Sequence, residues 1–111
     1  MIHALRRKED FDALVERSKT DPILIFKHST QCSISERALH EFNDFMRRAG
    51  GVEAGIVLVL ENRDVSNAVA ERLGVEHEPP QAIVIEAGRP AWNASHRAIT
   101  EGALRSALGL G

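Results

Sequence analysis

Apolar positions recur with two different spacings along the chain, and their order predicts its secondary structure. Helical spacing covers four stretches, at 9–18, 33–49, 64–74 and 100–109. The clearest of them is SISERALHEFNDFMRRA, which carries two arginines in its last turn and is followed by two glycines. Between the helices lie three apolar runs typical of strands: ILIFK at 23–27, GIVLVL at 55–60, and AIVIEAGRPAWNAS at 82–95, which contains a turn.

The connections between these runs predict how the strands pair. A helix separates the first two strands, so we expect them to be parallel through a right-handed crossover. The tight turn at Ala87, Gly88 and Arg89 makes the last two strands an antiparallel hairpin. The predicted order is α-β-α-β-α-β-β-α, an α/β fold with a mixed four-stranded sheet flanked by helices, in one domain over 1–111. This order is typical of thioredoxin-like domains.

Charge and hydropathy narrow the classes of partner. Fourteen Lys and Arg residues against sixteen Asp and Glu give a net charge of -2, and no basic stripe runs along any element. The first ten residues, MIHALRRKED, contain no apolar leader, and GIVLVL is too short to cross a bilayer. We therefore expect a cytoplasmic protein, a monomer, that binds neither nucleic acid nor membrane.

The chain holds one cysteine, Cys32, within FKHSTQCSIS at 26–35. A lone cysteine cannot form an internal disulfide, and it argues against a thiolate-rich metal site. The five histidines show no HExxH or similar ligand spacing, so no metal is expected. Cys32 is therefore either a free thiol or a thiol that pairs with something outside this chain.

The position of Cys32 favours a reactive thiol. The predicted strand ends near Lys27, and the next residues deliver Cys32 to the N-terminus of the following helix, where the dipole and unpaired N–H groups favour a thiolate. Ser33 and Glu36 form an S-x-x-E capping signature at this helix start. A buried cysteine acting as a small hydrophobic residue is the alternative, but the neighbours of Cys32 in sequence are polar: Ser29, Thr30, Gln31, Ser33 and Ser35.

The spacing from Cys32 to Ser35 is C-x-x-S, a redox pair in which the second sulfur is replaced by a hydroxyl. A serine cannot resolve a mixed disulfide, so an adduct on Cys32 must be released by an external thiol. The expected reaction is monothiol exchange.

Three separated segments resemble the monothiol bacilliredoxins of the YtxJ family, which have a thioredoxin-like fold. FKHSTQCSIS resembles the family signature Lys-His-Ser-Thr-x-Cys-Pro-Ile-Ser, GVEHEPPQAIVI resembles Gly-Val-x-His-Glu-Ser-Pro-Gln, and WNASHRAIT resembles Trp-x-x-Ser-His-x-x-Ile-Thr. The resemblance implies an enzyme that removes bacillithiol from S-bacillithiolated proteins. It binds no cofactor and uses bacillithiol, or another low-molecular-weight thiol, as co-substrate.

The resemblance also assigns residues. Cys32 becomes the attacking nucleophile, and a substrate-binding segment is implied at Pro79, Pro80 and Gln81, with Pro80 as the cis-proline of thioredoxin-like proteins. The supporting active-site loop comprises Lys27, His28, Ser29, Thr30, Ser33 and Ser35.

Two positions depart from the family pattern. Ser33 stands where the family has proline, which brings a hydroxyl and an N–H close to the thiol. Pro79 stands where the family commonly has serine, so this residue keeps a carbonyl acceptor and has no N–H donor for substrate. The second departure puts the identity of the substrate in question rather than the class of reaction.

Several other residues have two interpretations. Lys27 and His28 could place positive charge near the thiolate, or Lys27 could extend its ammonium to solvent. His77, His96 and Trp92 are expected to be structural, and a place on the substrate surface is the alternative for Trp92. Two other functions stay open: an iron-sulfur carrier like some monothiol glutaredoxins, although Cys-Gly-Phe-Ser is missing, and a binding domain without redox chemistry.

Overall fold

The protein is built on a five-stranded mixed sheet, as seen in a computed structural model that describes residues 1–110. The sheet order is β1-β3-β2-β4-β5. The strands are β1 Ile2–Ala4, β2 Ile23–His28, β3 Glu53–Leu58, β4 Gln81–Glu86 and β5 Arg89–Ser95. The helices are α1 Lys8–Arg17, α2 Ser33–Arg48, α3 Arg63–Leu73 and α4 Glu101–Ala107, with a 3-10 turn at His96–Ala98.

The predicted pairing of the central strands is confirmed. β2 and β3 are parallel and β4 and β5 form the hairpin, both as predicted. The structure adds that β4 joins the two halves by pairing antiparallel with β2. Ala87 and Gly88 turn the hairpin with φ of 51° and 76°, in the left-handed region that tight hairpin turns require. The α/β class and the thioredoxin-like order are therefore as expected.

The prediction of four strands was short by one. β1 has only three residues and pairs parallel to β3, with Ile2 opposite Ala54. Three residues are too few to establish an alternating pattern, and the contacts that form this strand come from a partner some fifty residues away. The predicted strand at 55–60 also begins earlier than expected and ends earlier, at Glu53 and Leu58.

Side chains of the central strands alternate between two apolar layers. Ile23 and Ile25 face α1 and α3, while Leu24 and Phe26 face α2 and α4. This alternation continues to the end of β2, where Lys27 contacts the α3 side and His28 contacts α2. The last two residues of the strand therefore enter opposite layers immediately before the loop to Cys32.

No helix within residues 1–110 is long and apolar enough to cross a membrane.

Candidate active site around Cys32

Cys32 is the N-cap residue of α2, with extended backbone angles of φ -129° and ψ 122°. Its N–H donates to the Ser29 carbonyl at 3.4 Å, and its carbonyl accepts the Glu36 N–H at 3.1 Å, the first bond of the helix. The side chain is partly exposed and makes no capping hydrogen bond. The thiol thus lies at the positive end of a sixteen-residue helix, where an anion is favoured.

The helix begins where the sequence predicted, but the capping mechanism was wrong. Because Cys32 is the N-cap, Ser33 is the first helical residue and its exposed side chain does not cap the helix. Glu36 then lies one position too late for a capping box. Ser33 therefore contributes an exposed hydroxyl next to the thiol rather than a structural cap.

Ser35 ties the loop before Cys32 to the first turn of α2. Its buried hydroxyl accepts the Ser29 N–H at 2.8 Å and lies 2.8 Å from Nδ1 of His28. Burial lowers the pKa of His28, although the charges of Glu61 and Glu36 and a hydrogen bond with the Ser35 backbone oppose this shift. We therefore assign a neutral imidazole whose Nδ1 accepts the Ser35 proton, so that both functions of the hydroxyl are used.

Lys27 is fully buried, with 0% of its surface exposed, so the expectation that it could extend to solvent was wrong. Its Nζ lies 3.1 Å from Nδ1 of His77, which also lies 3.3 Å from Oγ of Ser66. Burial lowers the pKa of Lys27 to about 8. Whether the charge of Lys27 acts on the thiolate stays a prediction.

His77 is the residue that sequence reasoning undervalued. It was expected to be structural, which describes its hydrogen bonds, but those bonds join it to Lys27 on β2 and to Ser66 on α3. The feature of the sequence that could have pointed to this role is the place of His77 in GVEHEPPQ, between α3 and the two prolines. A partner fifty residues away leaves no spacing pattern along the chain.

The segment before β4 lies at the same edge of the sheet as the loop to Cys32, because Gln81 opens β4 opposite Lys27. The Pro79–Pro80 bond is cis, as the resemblance led us to expect. The Pro80 carbonyl accepts the His96 N–H at 2.9 Å, and Pro79 is only partly buried. Gln81 is 1% exposed and its Nε2 donates to the Glu76 carbonyl at 2.8 Å. Its buried side chain therefore links the start of β4 to the beginning of this segment.

The other residues considered from the sequence have contacts of their own. Thr30 is exposed, and its hydroxyl lies 3.4 Å from a carboxylate oxygen of Glu61. Trp92 is partly buried against the layer that includes α2 and α4, which agrees with a packing role. His96 is exposed and has a φ of 57°, in the left-handed region. Its backbone, rather than its ring, makes the contact with Pro80.

Comparison with known protein families matches residues 3–104 to monothiol bacilliredoxin BrxC. The chain belongs to this family. The match covers the Cys32 loop, the Pro79–Pro80 segment and the 3-10 turn beyond β5, which are the three places where the sequence resembled the bacilliredoxin signatures. Bacilliredoxin membership and the observed fold together support a thiol-redox role for this protein.

Solved structures agree with this fold. A protein described provisionally as an oxidoreductase with a thioredoxin fold is 29% identical, with a TM-score of 0.87 over 96% of this chain and 92% of its own. Thioredoxin from Fasciola hepatica is 18% identical, with a TM-score of 0.78 and 96% of each chain covered. The Schistosoma mansoni thioredoxin pre-protein is 13% identical, with a TM-score of 0.77 over 97% of this chain and 95% of its own. The two thioredoxins support the fold alone.

Proposed function

We propose that this bacilliredoxin removes bacillithiol from protein mixed disulfides by monothiol exchange, with Cys32 as the nucleophile. The observation that carries the proposal is the pairing of one partly exposed thiol at a helix N-terminus with a hydroxyl at position 35. That hydroxyl is already hydrogen-bonded to the Ser29 N–H and to the His28 ring. The site therefore has a group that can attack a disulfide and none that can resolve one.

The proposed transfer balances in two steps. The Cys32 thiolate attacks the bacillithiol sulfur of the mixed disulfide, so that a new S–S bond forms on Cys32 while the old one breaks. The substrate cysteine leaves as a thiolate and takes a proton from solvent. A second low-molecular-weight thiolate then attacks the adduct, which releases Cys32 and leaves a small disulfide.

The proposed substrate surface lies between the Cys32 loop and the segment at Pro79 and Pro80. Pro79 offers a carbonyl acceptor and no N–H, so an extended substrate backbone would find one hydrogen-bonding group here instead of two. This bears on how tightly a protein substrate docks, while the attack by Cys32 is the same for every mixed disulfide.

Intact-protein mass spectrometry tests the proposal. Reduced protein is mixed with a bacillithiolated protein, and in parallel with the same protein carrying glutathione. We expect the bacillithiol mass to move to wild type and not to Cys32→Ser. Movement of glutathione alone would preserve monothiol exchange and contradict the bacillithiol assignment. No movement of either group would contradict the exchange reaction itself.

A further inference from the structure

The two sides of the candidate site are joined by hydrogen bonds only up to a point. The ladder between β2 and β4 ends at the pair Lys27 and Gln81. Beyond that pair, β2 continues through His28 to the Cys32 loop, and the other strand continues backwards through Pro80 and Pro79. Backbone pairing between β2 and β4 therefore does not set the separation of the thiol and the two prolines.

A partly buried side-chain contact connects the two segments beyond this point. Nζ of Lys27, the last β2 residue in that ladder, lies 3.1 Å from Nδ1 of His77, two residues before Pro79. Ser66 of α3 approaches the same nitrogen at 3.3 Å. The segment is closed further by the bond from Gln81 to the Glu76 carbonyl at 2.8 Å. A side chain on β2, the strand that leads to Cys32, thus contacts the stretch 76–80 before β4, which we call the proline segment.

The charge states of Lys27 and His77 determine which atom donates the hydrogen bond between them. An ammonium group has only donors, so Nδ1 of His77 must accept from Lys27, and the imidazole proton is on Nε2. Burial, together with the positive charges of Lys27 on β2 and Arg63 on α3, lowers the pKa of His77, which keeps the ring neutral at pH 7. The contact is therefore a charge-assisted hydrogen bond to a neutral acceptor.

The contact between Lys27 and His77 adds little to the free energy of unfolding, because burying the lysine costs desolvation free energy. Within residues 1–110, no carboxylate lies within ion-pair distance of Nζ of Lys27. A buried ion without a counter-charge costs desolvation free energy that an apolar side chain of similar volume would not. The arrangement makes better sense as a device that fixes geometry than as one that adds stability.

We propose that Lys27 and His77 are positioning residues, whose partly buried hydrogen bond fixes the Pro79–Pro80 segment relative to the strand that leads to Cys32. This inference rests on the proposed function, because it concerns a mixed disulfide that is aligned between those two segments. Neither residue needs to touch the substrate. Their effect is on the alignment of the disulfide with the thiolate, to which the rate of transfer is sensitive.

Lys27→Met is the central variant because it keeps the length of the side chain and removes the charge and the donor. We expect its denaturant midpoint to equal or exceed that of wild type, and its transfer rate from a mixed disulfide to fall at least about tenfold. Alkylation of Cys32 by iodoacetamide, which needs no aligned disulfide, should change less than about twofold. Lys19→Met, an exposed lysine on the same chain, is the matched control.

His77→Asn tests the hydrogen bond from the other side. Its amide oxygen can replace Nδ1 as an acceptor for Lys27, so we expect it to transfer faster than Lys27→Met. Wild-type transfer in Lys27→Met would overturn the inference. So would parallel losses of transfer and alkylation, because they would mean that the charge of Lys27 acts directly on the thiolate.

Amide hydrogen exchange separates this inference from the proposed function. The His96 N–H donates to the Pro80 carbonyl of the segment that Lys27 is proposed to hold, so its exchange reports on that segment and depends on no thiol substrate. We expect exchange there to be at least about tenfold faster in Lys27→Met than in wild type. If wild type transferred no bacillithiol but showed this difference, the proposed function would fail and the positioning contact would stand. Unchanged exchange would overturn the contact.

Discussion

At the scale of single residues, the hydroxyl of Ser35 has more contacts than its place in a C-x-x-S motif suggests. The motif alone describes it as a missing second thiol. The structure places it between the Ser29 amide and the His28 ring, both at 2.8 Å, on the buried side of the loop that ends at Cys32. The role of this hydroxyl is therefore to order the loop before Cys32.

Ser35→Ala should accordingly destabilise the protein. It leaves the Ser29 N–H and Nδ1 of His28 without this partner in a mostly buried site, at a cost of about 1–3 kcal/mol in the free energy of unfolding. Chemical denaturation measures the loss. Ser33→Ala removes an exposed hydroxyl two residues away and should leave the midpoint nearly unchanged. Equal effects of the two substitutions would contradict the role given to Ser35.

Lys27 should make stability depend on pH in the alkaline range. Its pKa is about 8 in the folded protein and 10.5 in an unperturbed lysine. Between these values the unfolded chain binds more protons than the folded one, so stability rises with pH. The full rise is about 3 kcal/mol, and the desolvation cost is present in full below pH 8.

Urea denaturation of wild type and Lys27→Met at several pH values from 7 to 10.5 checks this expectation. Other groups that titrate in this range contribute to both proteins, so the difference between their stabilities isolates Lys27. That difference should favour Lys27→Met at neutral pH and shrink as the pH rises. A constant difference would mean that the buried lysine does not titrate as expected.

At the scale of elements, the short edge strand β1 depends on charge as well as on its ladder. Glu53, which opens β3, lies 3.3 Å from the terminal amine of Met1, 3.3 Å from Nε2 of His3 and 2.7 Å from Arg17. The His3 hydrogen bond, with the terminal amine and Arg17, lowers the pKa of Glu53 against a smaller opposing effect of desolvation. One carboxylate therefore links β1, α1 and β3.

Glu53→Gln should loosen β1 first. Because its folded pKa is lowered, the stabilisation by Glu53 is present above the unfolded pKa and is lost as the pH falls through the folded pKa. We expect faster exchange of the Leu5 N–H, which donates to the Ile56 carbonyl at the end of the β1–β3 ladder, in the variant at pH 7, and less difference from wild type in acid. Glu71→Gln, an exposed carboxylate on α3, is the control. Unchanged exchange at Leu5 would show that the ladder alone holds the strand.

The same scale shows which elements could be predicted. α2 and the β2–α2–β3 crossover follow from apolar spacing and from chain order, which are local signals, and both are present. β1 was missed because three residues carry no period, and the ladder to Ile2–Ala4 comes from β3. The bounds of β3 moved for a related reason, because the ladder with β1 and β2, rather than hydropathy, ends the strand.

At the scale of the whole molecule, the site is where both layers of the fold meet the end of one strand. His28 connects it to α2 through Ser35, and Lys27 connects it to α3 and the proline segment through His77. The proline segment is also held by the His96 N–H from the 3-10 turn that follows β5. The protein substrate proposed above would therefore dock against a surface that three parts of the chain hold in place.

Pro79→Ser tests how such a substrate docks. The substitution restores a backbone N–H beside the proposed substrate path, and one added hydrogen bond of about 0.5–1.5 kcal/mol corresponds to about 2- to 10-fold in kcat/KM. We expect this gain with a bacillithiolated protein and little change with a small bacillithiol disulfide. Pro90→Ser, on exposed β5, is the matched control. A gain with both substrates, or with neither, would argue against a backbone contact at Pro79.

The sequence by itself determined the features that depend on near neighbours. These are the alternation of helices and strands, the start of α2 directly after Cys32, the single thiol and the hydroxyl three residues later, because spacing and composition are local properties. Only the tertiary structure decided which polar side chains are buried in the core and which partners they contact. Lys27 lies beside His77 because strand register and the segment before β4 bring together residues fifty positions apart, and no local pattern records that contact.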